Sequence, residues 1–461
     1  MTARGWRVFS AVLLALLLAV AGLGAGPLRA QQIQPPNDAG ITIPSIATSL
    51  PQGGDPGGVR KQLSDRGITY NVIYTNDVLS NLSGGTKRGT IDQGKVEGQL
   101  TVDLNKLAGW QDLTLYANAF QIHNTGRIRR DDVGGLNTIA AIEAAAPSTR
   151  LSELWLERKF LDGAASFRIG QLAADSEFLY SDLSNMFLQT DWPTITAVNL
   201  PGGGPAYPLS TPGARLKFDY TQDVSLLLAI FNGDPAGPCR GDPDTCNRYG
   251  LNFRVRDPAF VIGETQFRSN HGKDDSGLAR TLKLGGWSHL GLFNDQRTAN
   301  DGTLLANPAG SGIPAKHRGD FGLYGVIDQQ LYRPRGGAAD SGVSVFGLAS
   351  LSPSDRNLVD LQLNGGIVVA GLIPVRPNDR FGASVVYSRF SDSVRGFDQD
   401  QINISGVPAN VRDYEANLEL SYVAQIIPGW TVQPDFQYIW HPSGQAGRDA
   451  KVAGVRTILK F

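Results

Sequence analysis

The stretch RLSELWLERKFLDGAASFRIGQL, residues 150–172, decides the fold. Leu154, Leu156 and Phe160 alternate with Glu153, Trp155, Glu157 and Lys159. After the short turn Asp162-Gly163, Phe167 and Ile169 alternate with Ser166, Arg168 and Gly170. A period of two is that of a strand with one apolar and one polar face, and the Asp-Gly pair between two such runs marks a hairpin. Hairpins of this kind suit two architectures. In a soluble sandwich the polar face meets water. In a membrane barrel the apolar face meets lipid and the polar face lines a wet lumen. The period alone does not separate them.

The same pattern recurs along the chain. Ile68, Tyr70, Val72 and Tyr74 alternate with Thr69, Asn71 and Thr75, and Leu100, Val102 and Leu104 with Gln99, Thr101 and Asp103. Leu216, Phe218 and Tyr220 oppose Arg215, Lys217 and Asp219, while Leu251, Phe253 and Val255 oppose Asn252, Arg254 and Arg256. Val359, Leu361 and Leu363 oppose Asp360, Gln362 and Asn364. Tyr414, Ala416, Leu418, Leu420 and Tyr422 oppose Asp413, Glu415, Asn417, Glu419 and Ser421. About seventeen candidate strands emerge, and a bacterial barrel takes an even number. The regions 279–293 and 173–211 are the least decided by pattern.

Three features favour the transmembrane antiparallel β-barrel. Trp110, Trp430, Tyr438 and Trp440 fall at or near strand ends, where interfacial aromatic girdles belong. Turns are unequal: Asp162-Gly163, Thr221-Gln222-Asp223 and Asp257-Pro258 are short, whereas 123–150, 173–211, 232–247 and 294–318 are long. The chain ends AGVRTILKF, which places Ala453, Val455, Leu459 and Phe461 on one face and Gly454, Arg456 and Lys460 on the other.

The compartment is read from the N-terminus. Arg4 and Arg7 precede an apolar run, Val8 to Gly26, followed by Pro27 and by Ala30 before Gln31. This is the layout of a secretory signal peptide, expected to span 1–30. Residues 31–56, rich in Pro, Gly and Ser, read as a flexible leader, and 57–461 as the barrel domain. Within GGVRKQLSDRG, 57–67, one short N-terminal helix ends at Gly67. Beyond Ala30 no stretch of about twenty apolar residues exists to form a spanning helix. Removing Arg4, Arg7 and Arg29 from the 42 basic groups leaves 39 against 43 acidic ones, which excludes a nucleic-acid-binding surface. Cys239 and Cys246, in an exported chain, are expected to form a disulfide across one loop.

Four stretches in order resemble the carbohydrate-selective porins, the OprB-type family. They are GGVRKQLSDRGITYNVIYTNDVLSNLSGG (57–85), RLSELWLERKFLDGAASFRIGQL (150–172), HRGDFGLYGVIDQQLYR (317–333) and TVQPDFQYIWHPSGQAGRDAKVAGVRTILKF (431–461). The stretch 173–211, with Trp192 and PGGGPAYP, is not aligned by the resemblance. The resemblance implies an all-β barrel of sixteen strands in the cell outer membrane. It also implies passive diffusion of carbohydrates through a constriction lined by charged and aromatic side chains.

Sugar hydroxyls are met by planar donors and carboxylate acceptors, and C–H faces by aromatic rings. The inward parity supplies the candidates Glu153, Trp155, Glu157, Arg168, Arg215, Arg254, Arg256, Glu415, Glu419 and Arg456. Acids and bases balance, so neutral polyols are favoured over the anions or organic acids that a cationic lumen would take. The expected partners are a carbohydrate or other small polar solute and outer-membrane lipid, with no nucleic acid. A homo-oligomer stays open, since no interface strand stands out. No cofactor and no metal is expected. His123, His271, His289, His317 and His441 are scattered without zinc spacing, and two cysteines without a neighbouring histidine leave a tetrahedral site half empty. Asp242 and Asp244 lack the remaining ligand spacing of a calcium loop. No Gly-x-Ser-x-Gly elbow is present, so a barrel enzyme has no nominated nucleophile.

Overall fold

The computed structural model describes residues 40–461 apart from 43, 190, 191, 273 and 274. The expected signal segment and the first part of the leader lie outside the described residues. Sixteen strands form one closed antiparallel barrel, each paired with its sequence neighbours and the last with the first. They are β1 (Ile68–Ser83), β2 (Gly89–Asp103), β3 (Leu113–Asn124), β4 (Ser148–Phe160), β5 (Ala165–Leu172), β6 (Thr211–Asp219), β7 (Val224–Asn232) and β8 (Ala259–Ser269). The circuit continues through β9 (Arg280–Ala299), β10 (Pro314–Tyr332), β11 (Gly342–Leu351), β12 (Val359–Ala370), β13 (Arg380–Phe390), β14 (Tyr414–Ile427), β15 (Trp430–Trp440) and β16 (Ala450–Lys460). Closure leaves no edge of unpaired backbone, the condition for a sheet to sit in hydrocarbon. Among the described residues no helix is long and apolar enough to cross a membrane.

Alternation works as the sequence requires. Leu154, Leu156, Phe167, Ile169 and Leu216 are exposed on the outer face, while Trp155 and Arg215 between them are buried inside. The undecided region 279–293 is part of the long β9. The expected strand at 251–256 is not one of the sixteen. Its alternation is real, but the stretch lies in the connection between β7 and β8 and takes no part in the barrel's ladder. Instead, the N–H of Leu151 donates to Tyr249 O at 3.0 Å, and Arg254 folds onto Asp257.

Connections differ by side. On one side lie the tight turns 161–164, 220–223 and 428–429, together with the start of β1 and the end of β16. On the other lie the long connections 125–147, 173–210, 233–258 and 391–413. Short turns face the periplasm in such barrels, so the long connections are extracellular. Within 233–258 the structure pairs Cys239 with Cys246, their Cα atoms 6.0 Å apart.

The short helix α1 (Val59–Asp65) sits at the periplasmic rim and is followed by Gly67, whose φ of 88° suits glycine. Its Arg60 guanidinium lies between the rings of Tyr70 and Phe461, at 4.4 and 4.7 Å from their centroids. The second half of the leader is not free chain. Ile41 and Ala47 are buried, and the backbone of Ser45 and Ile46 presses so closely on Gly429 that a Cβ there would clash. Its few apolar residues dock on the barrel rim despite the Pro and Gly around them.

Candidate functional site

Two extracellular connections turn back into the barrel and set its bore. The connection 173–210 leaves β5 and is tied around the interior. Leu179 N–H donates to Glu264 of β8 at 3.1 Å, Asp182 N–H to Asp328 of β10 at 2.9 Å, and Ile195 N–H to Gln362 of β12 at 2.8 Å. Leu188 and Gln189 N–H donate to the two oxygens of Glu419 on β14 at 2.6 and 3.0 Å. Its Phe178, Leu179 and Trp192 complete an apolar cluster with Phe231, Phe260 and Trp287 of the wall. The connection 125–147 lies beside it. Leu136 and Asn137 N–H each donate to Glu415 at 2.7 Å, and Ile139 packs with Leu188 and Ile439.

Between these inward connections and the wall made by β2 to β4 lies a cavity of about 290 Å³. Lys95, Glu97, Asn118, Phe120, Glu153, Asp175, Trp192 and Tyr207 line it. Lys95 Nζ pairs with Glu97 at 2.9 Å and lies over the rings of Phe120 and Tyr207, 4.6 and 5.0 Å from their centroids. Asn118 donates to Glu97 at 2.8 Å and to the Tyr116 hydroxyl at 3.3 Å. Tyr116 stacks on Trp155 with centroids 4.8 Å apart, and the Arg168 guanidinium covers the Trp155 ring at 3.7 Å. Arg168 then donates to Glu157 at 2.8 Å, Arg215 to the other oxygen of Glu157 at 3.2 Å, and Arg215 to both oxygens of Glu177 at 2.8 and 2.9 Å. The result is one unbroken ladder of ions and rings running from Lys95 to Glu177. Asp175, in the connection rather than a strand, accepts the N–H of Tyr207 at 2.8 Å. Burial pushes its carboxyl up to about 6, opposed by that N–H and by Lys95.

The residues expected from sequence divide into three groups. Glu153, Trp155, Glu157, Arg168 and Arg215 converge on the ladder or the cavity. Glu415, Glu419 and Arg456 are buried elsewhere in the barrel and are occupied with structure. The first two hold the inward connections through backbone N–H groups, and Arg456 is paired with Asp77. Arg254 and Arg256 do not line the lumen wall, because the strand expected to carry them does not form. Arg254 pairs with Asp257 at 2.5 Å, and Arg256 is exposed.

Sequence reading missed Lys95, Glu97, Tyr116, Asp175, Glu177 and Tyr207. Lys95 and Glu97 were within reach, since they continue the inward parity of Gln99, Thr101 and Asp103 backwards along β2. Tyr116 lies opposite Trp155 in the β3–β4 register, which no local pattern states. Asp175, Glu177 and Tyr207 belong to an irregular connection without a period.

Comparison with known proteins agrees with this architecture. Residues 87–461 match the profile of the carbohydrate-selective porin, OprB family. Porin B of Pseudomonas aeruginosa is 24% identical over 432 residues, covering 88% of this chain and 90% of that protein. The high-pH structure of Pseudomonas putida OprB superposes with a TM-score of 0.76 at 21% identity, covering 88% of this chain and 97% of that one. Its low-pH structure covers the same shares with a TM-score of 0.53 at 18% identity. With four fifths of its length matched by the family profile, and a closed sixteen-stranded barrel behind that match, the chain belongs to the carbohydrate-selective porin, OprB family, and is a channel of the outer membrane.

Proposed function

We propose that carbohydrates cross by diffusion between the inward connection 173–210 and the wall from β2 to β6, touching the ladder from Lys95 to Glu177 on the way. The observation that carries this reading is the alternation of rings with paired charges beside a cavity of about 290 Å³. Trp155, Tyr116 and Tyr207 offer faces for C–H surfaces. Glu157 and Glu97 offer acceptors, and Arg168 and Lys95 offer donors, in pairs that are already neutralised. A sugar can exchange hydrogen bonds with such pairs without a net charge of its own. No covalent step and no cofactor enters this scheme.

The charge balance speaks against small anions as the preferred solute. Around the passage Glu97, Glu153, Glu157, Asp175 and Glu177 outnumber Lys95, Arg168 and Arg215. The test is planar-bilayer conductance of the refolded barrel with neutral sugars titrated as blockers, beside a reversal potential in a salt gradient. Concentration-dependent block by sugars together with weak cation preference supports the reading. Anion preference without sugar block would replace it with a channel for organic acids.

A further inference from the structure

We infer that the extracellular half of the outer wall at β5–β8 holds a binding site for a phosphorylated, acylated lipid of the outer leaflet. The wall is low there. β5 has 8 residues and β6 and β7 have 9 each, whereas β9 has 20 and β10 has 19. At about 3.3 Å per residue and a tilt near 45°, such short strands rise roughly 20 Å, less than the apolar band of about 25 Å. Their periplasmic ends are held level by the tight turns 161–164 and 220–223, so the shortfall lies on the extracellular side.

The segment 249–257 lies on the outer side of that low wall. Tyr249 O accepts the N–H of Leu151, and Gly250 O accepts Gln171 Nε2 at 3.0 Å, which fixes the segment beside the part of β4 that β5 is too short to cover. Below this anchor an apolar groove of about 620 Å³ opens between the segment and the wall. Leu154, Ile169, Ala214 and Ile230 form its floor, and Phe253 and Val255 its lip. Phe253 is 49% and Val255 78% exposed, and both stand next to the exposed apolar floor residues Leu154, Ile169 and Ile230, so they extend one contiguous apolar patch. The floor residues belong to the lipid-facing parity of the strands, so the groove is continuous with the membrane-facing surface.

Charge names the occupant. Asp257 at the groove is neutralised by Arg254, through bonds of 2.8 and 2.5 Å. Arg256, next along the chain and exposed, makes no hydrogen bond or ion pair among the described residues, and its charge adds to that of Arg254 beside Asp257. Arg248 is exposed too, and its guanidinium bonds only the carbonyl of Pro147, so its charge is unspent. A rim where Arg248, Arg254 and Arg256 outnumber Asp234 and Asp257, above an apolar groove at outer-leaflet depth, fits an acyl chain with a phosphate head.

The full barrel, delipidated in mild detergent, is examined by native mass spectrometry with three probes: bisphosphorylated lipid A, its dephosphorylated form, and phosphatidylethanolamine. Retention of bisphosphorylated lipid A at least fivefold above the other two is expected. Arg256→Glu should reduce that retention at least fivefold, and Phe253→Ser should reduce retention of every acylated probe. Sugar block of the current and the gel shift on heating should not change in either variant, since both residues lie outside the barrel wall. Equal retention of the three probes, or equal retention by wild type and Arg256→Glu, overturns the site. So does a multimeric mass without lipid that collapses to the monomer in Phe253→Ser, which would assign this face to a second copy of the chain.

Discussion

Arg456 of the last strand and Asp77 of the first stand directly opposite each other in the β1–β16 register. They are joined by two hydrogen bonds of 2.6 and 2.8 Å. Asp77 is fully buried and Arg456 nearly so. The pair therefore braces the seam at which the barrel closes, where backbone pairing joins the two ends of the chain.

Cutting that brace on one side leaves a buried charge without its ion-pair partner. Asp77→Ala or Arg456→Ala is expected to destabilise the barrel by about 3–5 kcal/mol, whereas replacing both by similar-sized apolar residues should cost much less. Urea unfolding in lipid vesicles measures all three. Additive losses in the double variant would deny the pairing.

Arg168 hydrogen-bonds Glu157, forms a longer ion pair with Glu177 at 3.6 Å, and covers Trp155 with its guanidinium. Arg168→Ala should weaken sugar block roughly fivefold, about 1 kcal/mol of lost contact, and shift the reversal potential toward cations. Barrel stability should change little, because Arg215 still holds Glu157. Unaltered block and reversal potential would remove the ladder from the solute's path.

Glu419 holds the inward connection by accepting two backbone N–H groups. In Glu419→Ala those donors lose their partner, at about 1–3 kcal/mol each. The connection should loosen, single-channel conductance should rise, and sugar block should fade. Glu419→Gln keeps an acceptor and should lie between. A conductance identical to wild type in Glu419→Ala would mean the other ties suffice.

Asp175 introduces a pH dependence. Its carboxyl, raised to about 6 chiefly by burial, is largely ionised at neutral pH and gains a proton as the pH falls through 6. Cation preference should decline over that interval, and Asp175→Asn should flatten the decline. The sign for stability runs the other way: a raised carboxyl favours the fold at low pH, and that contribution is lost as the pH rises through about 6. A reversal potential equally steep in Asp175→Asn would assign the step to another group.

Residues 44–54 dock on Gly429, through Ser45 and Ile46, and on the Phe461 ring, through Gly54. Their deletion should lower the temperature at which the barrel opens on a heated gel, and Phe461→Ala should do the same by removing one face of the Arg60 sandwich. A deletion that leaves the transition unmoved would make the segment dispensable.

The amino-acid sequence by itself determined the strands and, through the strand-end aromatics Trp110, Trp430, Tyr438 and Trp440 and the unequal turns, pointed to a membrane barrel. A period of two is a local property, written into residues such as Leu154, Trp155, Leu156 and Glu157, and it gives the two faces of each strand without saying which solvent the apolar face meets. Arg168 and Glu157 were legible as partners for the same reason: one tight turn sets their register. Only the tertiary structure decided the bore. Leu251, Phe253 and Val255 carry the strand period yet lie outside the ladder, since strand pairing also depends on which backbone is free to accept it. Glu177 and Tyr207 reach the passage because the connection 173–210 folds inward, held by Glu264, Asp328, Gln362 and Glu419 from strands far away in sequence. Those ties join backbone N–H groups to distant carboxylates and amides, and no local periodicity records them.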